Sequence, residues 1–204
     1  MTSQQKGDLG TRQRILAAAL EEFSVNGYSG ARIEKITKKA DVNVRMIYHF
    51  FGSKKGLLDA VLSQIFQERQ EALEKAPESI SELIGDYFRG YSADRHRVRL
   101  LEWEALENGD LREDLNTFAD RKRAVEKRLK SLARLQREGL APSAIDTEML
   151  YLFCVALTIY PSSFPQSVYV ATGEDAYSRA FQERYCDALE RLAGLFAQEE
   201  APKD

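Results

Sequence analysis

The segment from Ile33 to Phe51 constrains the fold of this chain more than any other, because it encodes two short helices with a three-residue turn between them. In the first helix, Ile33, Ile36 and Ala40 recur at helical spacing and form an apolar face that points inward. The other faces carry three basic residues, Lys35, Lys38 and Lys39. We therefore expect this helix to be half-buried, with a basic outer side.

The turn is predicted from the residues Asp41, Val42 and Asn43. Asp tolerates the left-handed conformation that ends a helix, and an Asn side chain accepts a backbone N–H at the start of the next one. Val42, between them, is expected to plug into the core. The second helix, about Val44 to Phe50, is shorter than the roughly 12 residues that an isolated helix needs in water, so its neighbours must hold it in place.

The second helix carries more side chains than its inward face can hold. On a helix of two turns, several of the following residues must project outward beside the lysines: Val44, Arg45, Met46, Tyr48 and His49. This is the geometry of a helix-turn-helix, whose second helix enters the major groove of DNA. Arg45 and Met46 are the best candidates for contacts with base edges, because Arg grips guanine bidentately and Met contacts a thymine methyl. A core position for Met46 is an equal alternative.

Residues 11–62 resemble the DNA-binding domain of TetR/AcrR-type transcriptional regulators. The resemblance rests on TRQRIL.AA...F...GY from residue 11, on EKI at 34–36 and on IYHFF.SK..LL at 47–58. It implies an all-α fold with an N-terminal three-helix helix-turn-helix domain and a larger C-terminal helical domain for ligand binding and dimerisation. Three residues depart from the family pattern: Ala31 replaces Thr or Ser, Asp41 replaces Gly, and Arg45 replaces a small residue. Arg45 is expected to alter sequence preference more than the fold.

The same resemblance assigns roles toward DNA. A tyrosine of this motif usually contacts the DNA backbone in the family, which makes Tyr48 a phosphate ligand, with half-buried packing as the alternative. Lys54 lies in the first turn of a helix capped by Ser53, where free N–H groups and the helix dipole favour an anion. His49 has no Cys or second His at metal-ligand spacing, so we interpret it as a DNA-facing residue and predict no metal. The predicted DNA-binding residues are Arg32, Asn43, Val44, Arg45, Met46, Tyr48, His49 and Lys54.

The formal net charge of −3 is unevenly distributed along the chain. Residues 1–62 hold ten Lys and Arg against six Asp and Glu, a net charge of +4, and the remaining residues carry −7. A basic N-terminal third localises the attraction to phosphate at one end of the sequence. Lysines that only solvate helix faces explain the same surplus, so charge supports DNA binding mainly in combination with the motif.

The chain is predicted to divide into residues 1–52, an N-terminal arm and the helix-turn-helix, and residues 53–204, a helical body whose first helix links the two. Residues 1–10 are expected to form a mobile arm, and a helix over 11–26 is expected to end at Gly27. Further helices are predicted at 79–92, 93–108, 117–138, 143–160 and 174–198, with a break over 161–173.

Two functions are predicted for this helical body, and both follow from the resemblance. The last two helices of such regulators form the homodimer interface, for which the candidates here are Leu150, Leu157, Phe181, Leu189, Leu192 and Phe196. The middle helices enclose a pocket for a small-molecule effector, for which the candidates are Tyr87, Phe88, Tyr91, Trp103, Phe118, Tyr151 and Cys154. For both sets the alternative is a place in the monomer core.

The resulting interpretation is a homodimeric repressor that binds a palindromic operator and is released by a small molecule. The sequence shows no G-x-S-x-G, Gly-rich phosphate loop or H-E-x-x-H, so no enzyme activity and no cofactor are predicted. Two cysteines and no apolar targeting segment indicate a cytoplasmic protein without a membrane role. The alternative is a helical ligand-binding or interaction protein with a vestigial DNA-binding head.

Overall fold

The structure, a computed structural model, describes residues 3–71, 76–107 and 118–198. Within these ranges it contains ten α-helices and no β-strand, which confirms the all-α prediction. The helices are α1 (Ser3–Gly30), α2 (Ile33–Ala40), α3 (Val44–Phe51), α4 (Lys54–Glu71), α5 (Ile80–Ser92), α6 (Arg95–Glu107), α7 (Phe118–Arg137), α8 (Thr147–Ser163), α9 (Pro165–Thr172) and α10 (Arg179–Gln198).

The helices form two compact units. Unit 1 comprises Met1–Glu68 and Arg99–Arg121, and unit 2 comprises Arg69–Val98 and Lys122–Asp204. Residues from two separate stretches of the chain therefore build each unit. The functional boundary between residues 52 and 53 stays a prediction, because compactness alone does not assign a function to either unit.

Unit 1 is built around side chains that α1 to α4 bury together. Ile15, Phe23, Ile36, Ile47 and Leu57 come from all four helices and are fully buried. The helical spacing of these residues gives each short helix one apolar face, and the shared core supplies the stability that α2 and α3 lack alone.

Unit 2 has its own core, in which α5 packs against both α8 and α10. Leu83 and Phe88 of α5 meet Leu132 and Leu135 of α7 in this cluster, together with Leu150 of α8. A small satellite cluster joins Val168 of α9 to Ala176 and Phe181.

The predicted break over 161–173 is wrong. Helix α8 continues through Pro161 to Ser163, and residues Pro165–Thr172 form the separate helix α9. Proline lacks the N–H that would bond to the carbonyl four residues earlier, and here the hydroxyl of Tyr185 donates to that carbonyl of Leu157 at 2.9 Å. A hydrogen bond from another helix thus compensates for the one that Pro161 removes.

Three helix starts differ from the sequence prediction by four residues or more. Helix α8 begins at Thr147 instead of residue 143, because the Asp146 side chain accepts the N–H groups of Glu148 and Met149 at 3.1 and 3.2 Å and so caps the helix there. Helix α10 begins at Arg179 instead of residue 174.

The N-terminal arm is the third such difference. Helix α1 already begins at Ser3, so most of the predicted mobile arm is helical, and the first two residues lie outside the described part of the chain. The segment 3–10 contains no proline and no β-branched residue to stop the helix. The expected end at Gly27 appears as an interruption of α1, because Gly27 has φ 66° and ψ 179°.

Candidate functional site

The turn between α2 and α3 has the predicted chemistry. Asp41 adopts the left-handed conformation, with φ 52° and ψ 58°, and ends α2. The N–H of Val42 donates to the carbonyl of Thr37 at 3.1 Å. Asn43 then caps α3, because its side-chain oxygen accepts the N–H of Arg45 at 2.9 Å. The two helices are thus joined by a turn whose polar groups are satisfied locally.

Helix α3 divides into a buried and an exposed face. Ile47 is fully buried, and Met46, Phe50 and Phe51 are half-buried against the core of unit 1. The exposed residues are Val44, Arg45, Tyr48 and His49, with exposed fractions of 43% for Val44 and 54% for Tyr48. Since each helical residue turns by about 100°, these four side chains fall within an arc of roughly 140°. We call these four residues the α3 outer face.

Helix α1 holds α2 in place through polar contacts. Arg14 Nε donates to the carbonyl of Ala40 at 3.1 Å, at the C-terminal end of α2. Glu21 pairs with Lys39. At the other end of α2, the backbone N–H of Arg32 donates to Glu22 Oε1 at 3.1 Å. Glu22 therefore satisfies an N–H at the start of a helix that has no side-chain cap of its own.

The start of α4 lies against the end of α3. Ser53 Oγ accepts the N–H of Gly56 at 2.9 Å, which confirms the predicted cap. A Cβ atom on Gly56 would lie 2.1 Å from the carbonyl oxygen of Phe51, so only glycine fits this approach. Lys54 Nζ lies 4.8 Å from the centroid of the Tyr28 ring, which orients the ammonium group beside the first turn of α4.

Two contacts of this arrangement were not predicted from the sequence. Tyr28 supports Lys54, and the Arg12 guanidinium lies 5.4 Å from the centroid of the Phe51 ring. Both residues belong to the TRQRIL.AA...F...GY motif, but a cation–π contact joins residues far apart in sequence and leaves no periodic signal.

In unit 2, four of the predicted effector-binding residues share one core. Tyr87, Phe88 and Cys154 are buried there, and Tyr151 packs against them with its ring 6.4 Å from that of Tyr87. Burial raises the pKa of the Cys154 thiol to about 11, which disfavours a reactive thiolate at neutral pH. Tyr91 is buried on α5 as well.

The two other predicted effector-binding residues belong to unit 1. Trp103 donates its Nε1–H to the carbonyl of Ser24 at 3.2 Å, and Phe118 is largely exposed. A role of these two side chains in effector binding stays a prediction.

The predicted interface residues fall into two groups. Leu150, Phe181 and Leu189 are buried in the cores of unit 2, whereas Leu157 and Leu192 are exposed. The side chain of Phe196 lies outside the described part of the structure. Additional exposed apolar side chains, which were not predicted as interface residues, are Met149, Leu152, Phe153, Tyr160 and Leu195.

These exposed residues follow helical spacing. On α8 they recur at positions 149, 152, 153, 157 and 160, and on α10 at 192 and 195. Such spacing places them on one face of each helix. We call the seven residues the α8/α10 apolar face. A groove of about 480 Å³ lies at this face, and its lining includes Phe153, Leu157 and Leu192.

Within the described ranges, no cluster of three or more His, Cys, Asp or Glu residues has the geometry of a metal site. None of the helices in those ranges combines the length and the apolarity that a bilayer-spanning helix needs.

Comparison with known protein families matches both parts of the chain. Residues 15–61 match the family described as bacterial regulatory proteins, tetR family. Residues 77–191 match the tetracyclin repressor-like C-terminal domain. The first match covers α2, α3 and their supports, and the second covers most of unit 2.

Individual proteins show the same likeness over nearly the whole length. The HTH-type transcriptional regulator RutR of Escherichia coli is 30% identical over 188 residues, which are 89% of this chain and 87% of RutR. The HTH-type transcriptional repressor SCO4008 of Streptomyces coelicolor is 28% identical over 80% of this chain and 84% of that protein. The crystal structure of the putative transcriptional regulator SCO4942 from Streptomyces coelicolor matches with a TM-score of 0.72 and 27% identity, over 89% of this chain and 97% of that one.

Proposed function

Since this chain belongs to the TetR family of bacterial regulatory proteins, and is a DNA-binding transcriptional regulator, we propose that it acts as a homodimeric repressor. It binds a palindromic operator through the α3 outer face and is released when a small molecule binds unit 2. The name of the relative SCO4008 as a transcriptional repressor supports repression over activation.

The observation that carries the proposal is the composition and seating of the α3 outer face. A tyrosine, an arginine and a histidine project from a helix whose opposite side is locked into the core by Ile47. Arg45 supplies donors for guanine, and Tyr48 and His49 supply polar groups for phosphate or base edges. Val44 at the start of the helix offers an apolar contact for a thymine methyl.

Lys54 adds the second element of the proposed contact. It stands in the first turn of α4, where backbone N–H groups and the dipole attract a phosphate. Its stacking on Tyr28 restricts the side chain before DNA arrives, so less conformational entropy is lost on binding. Arg32 and Asn43 are proposed as further contacts at the ends of α2 and α3. Met46 is the weakest member of the proposed set, because it is half-buried against the core.

The decisive experiment is selection of bound duplexes from a random DNA library at a stated salt concentration. The native protein is compared with the double variant Tyr48→Ala/Lys54→Ala. We expect the native protein to enrich one palindromic sequence and the double variant to enrich none. The matched control is Tyr169→Ala/Lys130→Ala, which removes an exposed tyrosine and an exposed lysine from unit 2.

The control variant should enrich the same palindrome as the native protein. If the native protein enriches no sequence at low or moderate salt, the proposal is contradicted. The alternative interpretation, a ligand-binding protein with a vestigial DNA-binding domain, is then favoured. Enrichment of an asymmetric site would support DNA binding but contradict a palindromic operator bound by a dimer.

The proposed dimer forms through the α8/α10 apolar face. Phe153 is 53% exposed although the helix that carries it also packs on α5, so one side of α8 is apolar and uncovered. A two-fold axis through this face places α8 and α10 of both subunits in a four-helix arrangement, and self-complementary burial of the same patch is what a two-fold dimer requires. Side chains of the second subunit would then fill the groove of about 480 Å³.

Sedimentation velocity tests this interface. Leu152→Glu and Leu195→Glu each place a charge on the α8/α10 apolar face and should shift the protein from dimer to monomer, because an unpaired buried carboxylate is costly. Leu106→Glu is the control, since Leu106 is more exposed than either and lies on α6. A monomeric native protein, or dimerisation that both variants retain, would contradict the α8/α10 interface.

The proposed response to an effector requires two states of the protein. Only a ligand that binds the DNA-incompetent state more tightly can release the operator. Residues Tyr87, Phe88, Tyr91, Tyr151 and Cys154 are the proposed surroundings of this ligand. Helix α4, which begins directly after Ser53 and supplies residues to both units, is the proposed link between the domains 1–52 and 53–204.

A further inference from the structure

Arg128 lies on α7 within a stripe of buried residues that are otherwise apolar. The residues that α7 buries are Ala124, Arg128, Leu132 and Leu135, at helical spacing. Leu132 and Leu135 are fully buried, and Arg128 is only 9% exposed. A permanently charged guanidinium therefore lies in the apolar stripe of a helix, where it is costly unless an anion accompanies it.

The partner that the structure gives to Arg128 is an aromatic ring. Its Cζ atom lies 5.0 Å from the centroid of the Tyr87 ring. Stacking of this kind uses the face of the planar guanidinium and leaves the N–H groups along its edge available. Among the described residues, no carboxylate forms an ion pair with Arg128, and its buried Nε has no hydrogen-bond acceptor.

Tyr87 presents a second unsatisfied group at the same place. The residue is 5% exposed, and its buried hydroxyl also has no hydrogen-bond partner. Burial raises the pKa of this phenol, so the hydroxyl keeps its proton and remains a donor. Two side chains that stack on each other, one from α5 and one from α7, therefore each bury a donor that has no acceptor, although buried polar groups are nearly always hydrogen-bonded.

We propose that Arg128 and Tyr87 recognise the carboxylate of the effector, which is a monocarboxylic acid with an apolar body. This inference rests on the proposed function and names the ligand class for it. The guanidinium edge binds one carboxylate bidentately, and the Tyr87 hydroxyl donates a further hydrogen bond.

The surroundings favour a single negative charge. Arg128 is the one basic side chain among the buried residues of unit 2 that the structure describes, so one carboxylate neutralises it. A phosphate monoester would leave a second negative charge among Leu83, Phe88 and Leu132, where the described part of unit 2 buries no further cation to compensate it. The Tyr151 ring, edge-on to Tyr87, provides an aromatic wall for the apolar body of the acid.

Thermal unfolding of the full-length protein tests the proposal with defined probes. Hexanoate and benzoate are compared with hexanamide and benzamide, which have the same shape without the charge, and with phenyl phosphate. A ligand that binds only the native state raises the Tm. We expect the two acids to raise the Tm, the amides to leave it unchanged, and phenyl phosphate to have a smaller effect.

Two variants identify the residues. Arg128→Met removes the charge with little change in volume, and Tyr87→Phe removes the hydroxyl alone. Each should weaken binding of the acid by roughly tenfold or more, as measured by calorimetric titration. Lys130→Met, which removes a charge from the exposed face of the same helix, should bind the acid as the native protein does.

The stability of the ligand-free variants supplies an independent readout. If Arg128 is held without a counterion until the acid arrives, Arg128→Met without ligand should unfold at the same or a higher temperature than the native protein. A marked fall in Tm would show that the guanidinium is a structural group that the ligand-free protein already satisfies, and would overturn the proposal. Failure of every acid to stabilise the native protein, or equal shifts by acids and amides, would also overturn it.

Binding to the selected operator separates this inference from the proposed function. If the protein binds the operator but does not respond to acids, the proposed carboxylate site is wrong and the proposed DNA-binding function stands. If the acid binds in a manner that depends on Arg128 but operator affinity does not change, the carboxylate site stands and its role as the effector site is contradicted.

Discussion

In the described part of the chain, Asp41 is the one residue other than glycine that has a positive φ. A side chain in the left-handed region costs about 1 kcal/mol, less for Asp than for most residues. Asp41→Gly should therefore raise the free energy of unfolding of unit 1 by up to about 1 kcal/mol. Urea unfolding followed by circular dichroism measures this change.

Asp41→Ala is the matched control, because it removes the same charge and retains a Cβ atom. It should be no more stable than the native protein. Both variants should bind the operator more tightly at low salt, since each removes a negative charge beside the α3 outer face. Equal stability of the two variants would show that the backbone of Asp41 is not strained.

Gly56 is constrained by space instead of by its backbone angles. An added Cβ would approach the carbonyl oxygen of Phe51 to 2.1 Å, and a backbone oxygen cannot move aside as a flexible side chain does. Gly56→Ala should destabilise unit 1 by about 1–3 kcal/mol, as overpacked sites do. The measurement is the shift of the urea midpoint.

Gly90 provides the comparison for Gly56. It lies in helix α5 with no atom within 4 Å of an added Cβ. Gly90→Ala should be neutral or stabilising by roughly 0.5–1 kcal/mol, because alanine is the better helix former. Loss of stability in both variants to the same extent would indicate that the close contact at Gly56 is not the cause.

At the scale of the helix, α3 depends on its ends as well as on its buried face. It has eight residues, and the Asn43 side chain satisfies one of its first N–H groups. Asn43→Ala should cost about 1 kcal/mol of stability, the usual effect of losing an N-cap, and should weaken operator binding because the start of α3 frays. Thermal unfolding and fluorescence anisotropy with a labelled operator measure the two effects.

Substitution by Asp distinguishes capping from DNA contact at this position. Asn43→Asp retains a capping oxygen, so stability should return to near the native value. Operator affinity should stay low, because the new carboxylate repels phosphate. Recovery of both properties would show that Asn43 acts only as a cap.

Helix α8 shows how a tertiary contact overrides a local signal. Pro161 predicted a break, yet α8 continues to Ser163 because the Tyr185 hydroxyl bonds to the Leu157 carbonyl that proline leaves unpaired. No residue near Pro161 in the sequence predicts this contact. The C-terminal end of α2 and the N-terminal caps of α3 and α4 were predictable, in contrast, because each involves residues two to five positions apart.

At the scale of the whole molecule, the uneven charge of the chain bears on how DNA binding depends on salt. Each phosphate contact made by a Lys or Arg contributes about −0.9 to the slope of log affinity against log salt concentration. In a dimer, Lys54→Ala removes one such contact per subunit, so the slope should become shallower by about two. Anisotropy titrations between 50 and 200 mM salt measure it.

A variant that removes an uncharged contact with DNA provides the comparison for this experiment. Tyr48→Phe removes a hydrogen bond and no charge, so it should lower the affinity and leave the slope unchanged. A change of about one for Lys54→Ala would indicate one bound subunit per site instead of two. No change would show that Lys54 does not contact phosphate.

The helical class, the helix-turn-helix with its turn residues and caps, and the family were all predictable from the amino-acid sequence alone. These features are local, because the period of apolar residues and the chemistry of a cap are set within one or two turns of helix. Candidate DNA-facing residues of α3 followed from the same periodicity, and the alternative that Met46 packs inward was visible in it.

Which of several equally apolar positions are covered became visible only in the packed molecule. Leu150 and Leu189 lie in the core, and Leu157 and Leu192 remain exposed, although the residue types are identical. The packing also places Arg128 of α7 on the Tyr87 ring of α5. Burial and such contacts depend on how helices distant in sequence pack against one another, and a helical pattern states only that a face is apolar, not which partner covers it.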